Sequence, residues 1–257
     1  MQNILVTGSS GLIGGIIQEK IHSFNLVGLD KVSSNYPKTI ISDLSNLTEL
    51  NKIMTTNNIE TVIHLAADGS VKGNWYSNKL NNIEGTWNIF EASRLSGVKK
   101  IIFASTNHVI GMFENDYPYN EIVQGNYNNL KSDYVHIKED SPIRPDSLYG
   151  TSKAFGENLG RYYYENYNLR VACLRIGSVI KNNNPSIANN SNRIFSTWCS
   201  HDDIAGLIKA CIKSNNITFN IFFGVSNNKW RIWDIVNQKK VLNFTPKSNA
   251  ENHREAD

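Results

Sequence analysis

Cysteine is scarce in this sequence of 257 residues, which contains only Cys173, Cys199 and Cys211. An odd number of cysteines without paired spacing argues against a disulfide framework and against a zinc site, and we expect no bound metal. Hydrophobic runs are short, since none approaches the roughly 20 residues of a membrane-spanning helix. Basic residues form no stripe, and the net charge is only +3. We therefore expect neither a membrane nor a nucleic acid as a partner.

The remaining composition is that of an ordinary globular protein, with 40% hydrophobic and 19% charged residues. A chain of this length can bury a full hydrophobic core. Its first residues lead directly into the strand-like stretch NILVTG without a basic leader. These features predict a cytoplasmic protein.

Short apolar runs alternate with amphipathic segments over the first two thirds of the chain, which is typical of parallel βαβ units. The predicted strands are NILVTG, NLVGLD, TVIHLAA, KKIIFAS and RVACLRIG. Helices are predicted after Gly11 and over residues 47–57, 79–96 and 149–166. This pattern predicts an α/β fold, a Rossmann-type doubly wound parallel sheet with a small C-terminal substrate-binding lobe.

The rest of the chain is less regular. It holds a helix-like stretch DDIAGLIKACIKS, a strand-like stretch FNIFFGVS and a short helix around residues 233–242. We predict a dinucleotide-binding domain over residues 1–177 and a substrate-binding lobe over 178–257, from which 219–226 return to the sheet. Residues 114–146 form a long, polar and tyrosine-rich segment, which predicts an insertion loop. Whether it is a lid, a partner surface or nothing more than loop stays open.

The stretch VTGSSGLIGG follows the first predicted strand and opens the first predicted helix. Gly8, Gly11 and Gly14 allow a tight turn, close approach of the backbone to a pyrophosphate, and close helix–strand packing. The helix N-terminus presents free N–H groups to the phosphates. Asp30 ends the second strand, where a carboxylate binds the adenosine ribose hydroxyls and repels a 2′-phosphate. The pattern predicts a dinucleotide site that takes NAD in preference to NADP.

Tyr149 and Lys153 stand four residues apart at the start of a predicted helix, so both project from one face. Tyrosine, whose usual pKa is about 10, is a poor base at neutral pH. An ammonium group and a positive nicotinamide ring nearby stabilise the phenolate and lower that pKa. A hydroxyl must also hold the substrate oxygen, and Thr106 supplies one. We predict Thr106, Tyr149 and Lys153 as the catalytic residues.

Polar side chains crowd the carboxyl end of the strand KKIIFAS, where Ser105, Thr106, Asn107 and His108 follow one another. Four successive polar residues are awkward for packing alone. In open parallel sheets, ligands bind beyond the carboxyl ends of the strands. We therefore favour a functional role for His108 over that of a buried structural histidine.

These motifs resemble those of the extended short-chain dehydrogenases/reductases, the broad family of NAD-dependent sugar epimerases, dehydratases and dehydrogenases. The TGxxGxxG motif of the family stands at residues 7–14, its YxxxK motif at Tyr149 and Lys153, and its Ser/Thr position at Thr106. The resemblance implies the following residues as cofactor-binding: Gly8, Ser10, Gly11, Leu12, Ile13, Asp30, Asp43, Leu44, Leu65, Ala66, Ala67, Asn82, Tyr149, Lys153 and Ile176.

A closer resemblance, carried by FASTNHVIG, RPDSLYGTSKAFGENLGR, LRIGSV and STWCSHDD, is to uronate dehydrogenases and a related group of NAD-dependent hexose 6-phosphate dehydrogenases. It implies oxidation of the anomeric carbon of an anionic pyranose to the lactone. The implied substrate-binding residues are Ser70, Thr106, Asn107, His108, Ser178 and Arg193. Arg193 is the candidate for the anion, because a guanidinium can bind a carboxylate or phosphate through two hydrogen bonds. The long insertion is a departure from uronate dehydrogenases.

Two other functions stay open at this point. The first is a nucleotide-sugar 4-epimerase or dehydratase that retains its NAD, although such enzymes usually carry a larger C-terminal lobe. The second is a non-catalytic NAD-sensing protein, which would have no need of the complete set of Thr106, Tyr149 and Lys153. For all of these the resemblance implies a homodimer or higher homo-oligomer, paired through the helices predicted at 79–96 and 149–166.

Overall fold

The short apolar runs pair side by side in a seven-stranded parallel sheet, in the order β3-β2-β1-β4-β5-β6-β7. The computed structural model describes residues 1–130 and 134–254. The strands are β1 Asn3–Thr7, β2 Asn25–Asp30, β3 Lys38–Ile41, β4 Thr61–His64, β5 Lys100–Thr106, β6 Arg170–Ile176 and β7 Phe219–Gly224. The strand order reverses at β1, as in a doubly wound Rossmann sheet. The predicted fold class is confirmed.

Helices cover both faces of this sheet. They are α1 Leu12–Lys20, α2 Leu47–Thr56, α3 Trp75–Ser77, α4 Gly85–Leu95, α5 Tyr119–Gln124, α6 Leu148–Tyr167, α7 Ser191–Thr197, α8 His201–Lys213 and α9 Val236–Leu242. Short 3-10 helices span Asn107–Asn115, Tyr127–Asn129, Pro185–Ile187 and Ala250–His253. Among the helices in the described part of the chain, none is long and apolar enough to cross a membrane.

Strand β5 shows how the sheet separates two cores. Successive side chains of a strand point to opposite faces. Ile102 and Ala104 therefore enter the core beneath α1 and α8, whereas Ile101 and Phe103 enter the core beneath α2, α4 and α6. Every residue of β5 is buried. The continuous apolar run of this strand follows from burial on both faces.

Two elements differ from the sequence-based expectation. Strand β3 was not predicted, because its four residues lie at the sheet edge and are only partly buried or exposed, so they carry little hydrophobic signal. The helix predicted over 79–96 is interrupted at its start, since Asn78–Glu84 form a π-helix that continues into α4. Asn78 and Asn82 point inwards from this turn and are fully buried.

The insertion at 114–146 is not only loop. It contains α5, and Ile122 and Ile137 are buried in a small core with Val225, Ile232 and Trp233 from the C-terminal part of the chain. The backbone of Ile137 bonds to Ile232 and Asp234, both at 2.9 Å. The expectation of nothing more than loop is therefore corrected where the insertion is described, because its apolar side chains share a core. A role as a lid or partner surface stays a prediction. Residues 131–133 lie outside the described part.

The C-terminal part of the chain also contributes to the main sheet. Strand β7 pairs with β6, and α8 packs in the same core as α1 and β1. The division of the chain at residue 177 stays a prediction, and residues 255–257 of the predicted lobe lie outside the described part. In packing terms, α8 belongs to the helical layer of the sheet.

A buried ion pair joins α6 to the centre of the sheet. Arg175 on β6 donates to Glu157 on α6 through Nε at 2.9 Å and through a terminal nitrogen at 2.8 Å. The hydroxyl of Ser105 on β5 donates to the same carboxylate at 2.6 Å. The two charged side chains are only 1% and 3% exposed. Three elements are thus tied together at one carboxylate.

We expect Arg175→Met to lower the free energy of unfolding by about 3–5 kcal/mol, because Glu157 would remain buried without its partner. The double variant Glu157→Leu/Arg175→Met should recover more than half of this loss. Urea unfolding followed by circular dichroism measures both. The control is Glu165→Gln, which removes the exposed partner of Arg161 on the same helix and should cost less than about 1 kcal/mol. Equal losses in the single and double variants would contradict the prediction.

Candidate active site

A cleft of about 460 Å³ opens at the carboxyl ends of the strands, where the strand order reverses. The glycine loop and α1 form one side, and β5, β6 and α6 form the other. The predicted residues that line it are Gly8, Gly11, Leu12, Ile13, Leu65, Ala67, Thr106, Tyr149, Lys153 and Ile176. The structure therefore brings the predicted catalytic residues and the glycine loop into one site.

A second cleft of about 380 Å³ continues from the first, because both are lined by Gly8, Gly11, Leu65 and Ala67. It adds Ser10, Asp30, Leu44 and Ala66 from the predicted set. Together the two clefts form one groove that crosses the switch point of the sheet. An extended ligand with two ends fits this shape.

The glycine loop fits a pyrophosphate for a local reason. Gly8 has φ +71°, and a Cβ there would lie 2.7 Å from the backbone nitrogen of Ala66. Only glycine therefore lets β1 turn this closely against the end of β4. The turn directs the backbone into the N-terminus of α1, where free N–H groups face the groove.

Asp30 lines the second cleft, where the adenosine end of the cofactor is predicted. Its carboxylate accepts the backbone N–H of Ser10 at 3.0 Å and of Lys31 at 2.7 Å. The Lys31 ammonium is already engaged, since it lies 2.9 Å from the Asp43 carboxylate. This contact with Lys31, against the effect of burial, lowers the pKa of Asp43. Lys31 lines the same cleft as Asp30 and is paired there with Asp43.

Helix α6 begins where it can place Tyr149 and Lys153 against β5. Ser147 caps the helix by accepting the N–H of Gly150 at 3.0 Å. A Cβ on Gly150 would lie 2.3 Å from the carbonyl oxygen of His108, so the absence of a side chain lets the two segments touch. The rings of His108 and Tyr149 are 6.0 Å apart. The sequence thus sets the catalytic helix directly beside the polar end of β5.

Burial disfavours the charged form of both Tyr149 and Lys153. Burial raises the pKa of Tyr149, as does the charge of Asp68, while a hydrogen bond with the Thr106 hydroxyl works in the opposite direction. Burial lowers the pKa of Lys153 to about 7. The Lys153 nitrogen lies 4.8 Å from the centre of the Phe103 ring and 6.0 Å from that of Tyr149. A phenolate and an ammonium at this separation would stabilise each other.

A cluster of polar side chains lies beyond Tyr149. His108 Nδ1 bonds to the Asp146 carboxylate at 2.7 and 3.0 Å. The Asn107 amide is oriented with its nitrogen donating to the Ile176 carbonyl at 3.1 Å and its oxygen accepting from Arg193 at 2.8 Å. This is the orientation that gives both polar atoms a partner. Three predicted substrate-binding residues, Asn107, His108 and Arg193, therefore lie close together.

Other predicted residues do not line the two clefts, although some adjoin residues that do. Asn82 is fully buried and bonds to the backbone of Asp68 at 2.7 and 3.0 Å and to Ser152 at 3.0 Å, so it supports the wall of the groove from behind. Its expected contact with the cofactor is corrected on this ground. The Ser178 hydroxyl bonds to that of Thr197 at 2.8 Å. Ser70 is exposed on the loop that follows β4.

Sequence reasoning missed two acids of this site, Asp146 and Glu114. Asp146 holds His108, and Glu114 binds Arg193. Asp146 stands three residues before Tyr149. An acidic residue at this position is typical of the start of a helix and does not by itself indicate a site. Glu114 opens the insertion, and nothing in its sequence neighbourhood marks it. Within residues 1–130 and 134–254, no group of three or more His, Cys, Asp or Glu side chains is placed to hold a metal.

The buried Lys153 predicts a pH dependence of stability. Its pKa is about 7 in the folded protein and 10.5 in the unfolded chain. The unfolded state therefore binds the extra proton between these values, and stability rises with pH across this window. In Lys153→Met this slope should fall, by at most about 1.4 kcal/mol per pH unit. Urea unfolding of both proteins at pH 7.5 and 9.5 measures it, and equal slopes would count against the prediction.

The position of Asp30 predicts cofactor choice. Asp30→Asn should lower the affinity for NAD by about tenfold, since an ionised acceptor makes the stronger bond to a hydroxyl. The affinity for NADP should change much less, because its 2′-phosphate makes no favourable contact with the carboxylate. Calorimetric titration with each dinucleotide gives both values. A parallel loss for NAD and NADP would place Asp30 outside the ribose site.

Comparison with known proteins agrees with this geometry. The model of the NAD dependent epimerase/dehydratase family matches residues 4–200. NAD-dependent glucose-6-phosphate dehydrogenase of Haloferax volcanii is 29% identical, over 97% of this chain and 94% of that protein. Uronate dehydrogenase of Agrobacterium fabrum is 32% identical, over 99% of this chain and 88% of that protein.

Solved structures show the same relationship. A mutant of uronate dehydrogenase from Agrobacterium tumefaciens, complexed with NAD, superimposes with a TM-score of 0.80. It is 31% identical, and the match covers 98% of this chain and 87% of that one. Since the family model spans well over half of the sequence, and its glycine loop, Tyr149 and Lys153 meet in one groove, this chain belongs to the NAD dependent epimerase/dehydratase family.

Proposed function

We propose that this protein is an NAD-dependent sugar dehydrogenase that oxidises the anomeric carbon of an anionic pyranose, a hexuronate or a hexose 6-phosphate, to the lactone. One observation carries the proposal. Thr106, Tyr149 and Lys153 line the same cleft as the glycine loop, and the His108 ring lies 6.0 Å from that of Tyr149. The relatives named above, which act on a uronate and on glucose 6-phosphate, support the class of substrate.

The groove fits NAD at several points. The glycine loop and the N-terminus of α1 would hold the pyrophosphate, Asp30 the adenosine ribose, and Lys153 the nicotinamide ribose. Leu65 and Ala67 would contact the cofactor between its two ends. When bound, NAD supplies a hydride acceptor with a positively charged ring.

Tyr149 is the general base of the proposed reaction. As phenolate it takes the proton of the C1 hydroxyl while the hydrogen on C1 leaves as hydride, so that the C1–O bond becomes the carbonyl of the lactone. Lys153 stabilises the phenolate by its charge. Thr106 donates to the reacting oxygen and keeps it within reach of Tyr149. These roles suit a buried site, where charges act strongly on one another.

The polar cluster would orient the sugar ring. Asn107 and His108 would bind ring hydroxyls, with the His108 ring fixed by Asp146. Arg193 would bind the distant carboxylate or phosphate, and Ser70 and Ser178 would complete the site. Hydride transfer requires close alignment, so fixed polar partners raise the rate by holding the reacting atoms together.

The proposed assembly is a homo-oligomer in the cytoplasm, most simply a dimer. Large apolar side chains are exposed on α4 and α6, among them Trp87, Leu95, Tyr162 and Tyr167. Exposed apolar area of this kind is typical of a contact surface.

The test is production of NADH from NAD with D-glucuronate, D-galacturonate and glucose 6-phosphate, each assayed separately. We expect reduction with at least one sugar and a loss of about 100-fold or more in kcat for Tyr149→Phe, which keeps the ring and removes the base. Tyr162→Phe, on the exposed face of the same helix, is the control. If no sugar reduces NAD, epimerisation of nucleotide sugars is the next assay, and equal activity in Tyr149→Phe would favour a non-catalytic role for that residue.

The rate should also depend on pH. Because burial raises the pKa of Tyr149, the phenolate is scarce at neutral pH, and kcat/KM should rise as the pH increases from 6 to 9. The rate rises with pH because Tyr149 must lose its own proton before it can accept one from the substrate. The rise should be less steep above pH 7, where Lys153, with a pKa of about 7, loses the charge that stabilises the phenolate. Initial rates in buffers of constant ionic strength measure the profile. A rate that falls over this range would contradict the assignment of Tyr149 as the base.

A further inference from the structure

Arg193, the proposed partner of the substrate anion, already holds a carboxylate of this chain. Its Nε and one terminal nitrogen donate to the two oxygens of Glu114 at 2.6 and 2.7 Å. The pair is partly buried, with the Arg193 side chain 20% exposed and that of Glu114 15% exposed. Glu114 therefore occupies one of the two faces, that of Nε and Nη2, through which the guanidinium can bind a carboxylate or phosphate with two hydrogen bonds.

The next charged group beside Arg193 is another carboxylate, that of Asp146, and not a second cation that could bind the anion. Asp146 lies close enough for the Arg193 charge to help lower its pKa, against the effect of burial and beside the bond to His108. The same Arg193 nitrogen that contacts Glu114 also donates to Asn107. An arriving anion thus meets two carboxylates and a guanidinium whose Nε and Nη2 donors are in use.

We infer that Glu114 is an internal competitor of the substrate anion, which must displace it in order to take two hydrogen bonds from Nε and Nη2 of Arg193. The inference rests on the proposed function, because it concerns the anion that Arg193 is proposed to receive. Glu114 is then a specificity-determining residue. It raises the KM for anionic sugars and leaves the hydride-transfer step alone, since it touches none of Thr106, Tyr149 and Lys153 through a hydrogen bond among the described residues.

The physical basis is an exchange of one anion for another. Without substrate, Glu114 satisfies a partly buried guanidinium that would otherwise lack a counter-ion. With substrate, the released carboxylate must find water or another donor, and this cost is subtracted from the affinity for the sugar. Glutamine at 114 has the same size and can still accept one hydrogen bond, but it does not neutralise Arg193.

The experiment compares the wild type with Glu114→Gln in the NADH assay. For an anionic sugar, KM should fall by about tenfold, a difference typical of one hydrogen bond to a charged group, and kcat should stay within about twofold. For D-glucose, a neutral sugar, KM should not fall. The ratio of kcat/KM for the anionic over the neutral sugar should therefore rise by about tenfold.

Two further variants separate this role from a structural one. Asp116→Asn removes an ion pair with Arg144 in the same segment, and it should leave KM unchanged. In the background of Arg193→Gln, which lacks the guanidinium, Glu114→Gln should no longer lower KM. A role in folding alone would lower activity in both backgrounds.

The outcomes are distinct. A lower KM for the anionic sugar, absent in the Arg193→Gln background, supports the inference. An unchanged or higher KM in Glu114→Gln, with NADH still formed by the wild type, overturns the inference and leaves the proposed function intact. Absence of NADH with every anionic sugar overturns the proposed function and the inference together.

Discussion

The buried pair between Glu157 and Arg175 anchors to the sheet the helix that carries Tyr149 and Lys153. Tyr149, Lys153 and Glu157 follow one another at intervals of four residues, so they lie along one face of α6. The last of the three is fixed to β5 and β6 through Ser105 and Arg175. The same face of the helix therefore carries the buried anchor and both side chains that line the cleft. The Ser147 cap and the close approach of Gly150 to His108 fix the other end of this face beside the polar end of β5.

The two basic side chains of the site, Lys153 and Arg193, differ in how their charge is balanced. Lys153 is buried without a counter-ion strong enough to offset the loss of water, and burial lowers its pKa. Arg193 keeps its charge and is neutralised by Glu114. The difference follows from the side chains, because a guanidinium does not lose its proton in proteins whereas an ammonium group does so when buried. Lys153 can therefore gain or lose a proton beside Tyr149, whereas Arg193 stays charged and paired with Glu114.

The framework of the fold and the core of the site could be predicted from the sequence because their signals are local. Glycine spacing, the Tyr149–Lys153 interval and the apolar runs each lie within a few residues. Other contacts of the site join residues far apart in the chain. Glu114 and Arg193 are 79 positions apart, and His108 and Asp146 are 38 apart. No local sequence pattern predicts such contacts. Strand β3 and the π-helix at Asn78–Glu84 were not predicted for another reason. The pairing of an edge strand and the inward orientation of Asn82 depend on residues that are neighbours in space and not in sequence.

The shared core of the insertion and the C-terminal part has a consequence for the history of this sequence. Ile122 and Ile137 are buried against Ile232 and Trp233, so two stretches about a hundred residues apart form one packed unit. A change in the length or side-chain volume of one stretch therefore requires a compensating change in the other. The insertion is therefore not an independent unit that can be exchanged between related chains. Chimeras that contain it should take both stretches from the same parent protein.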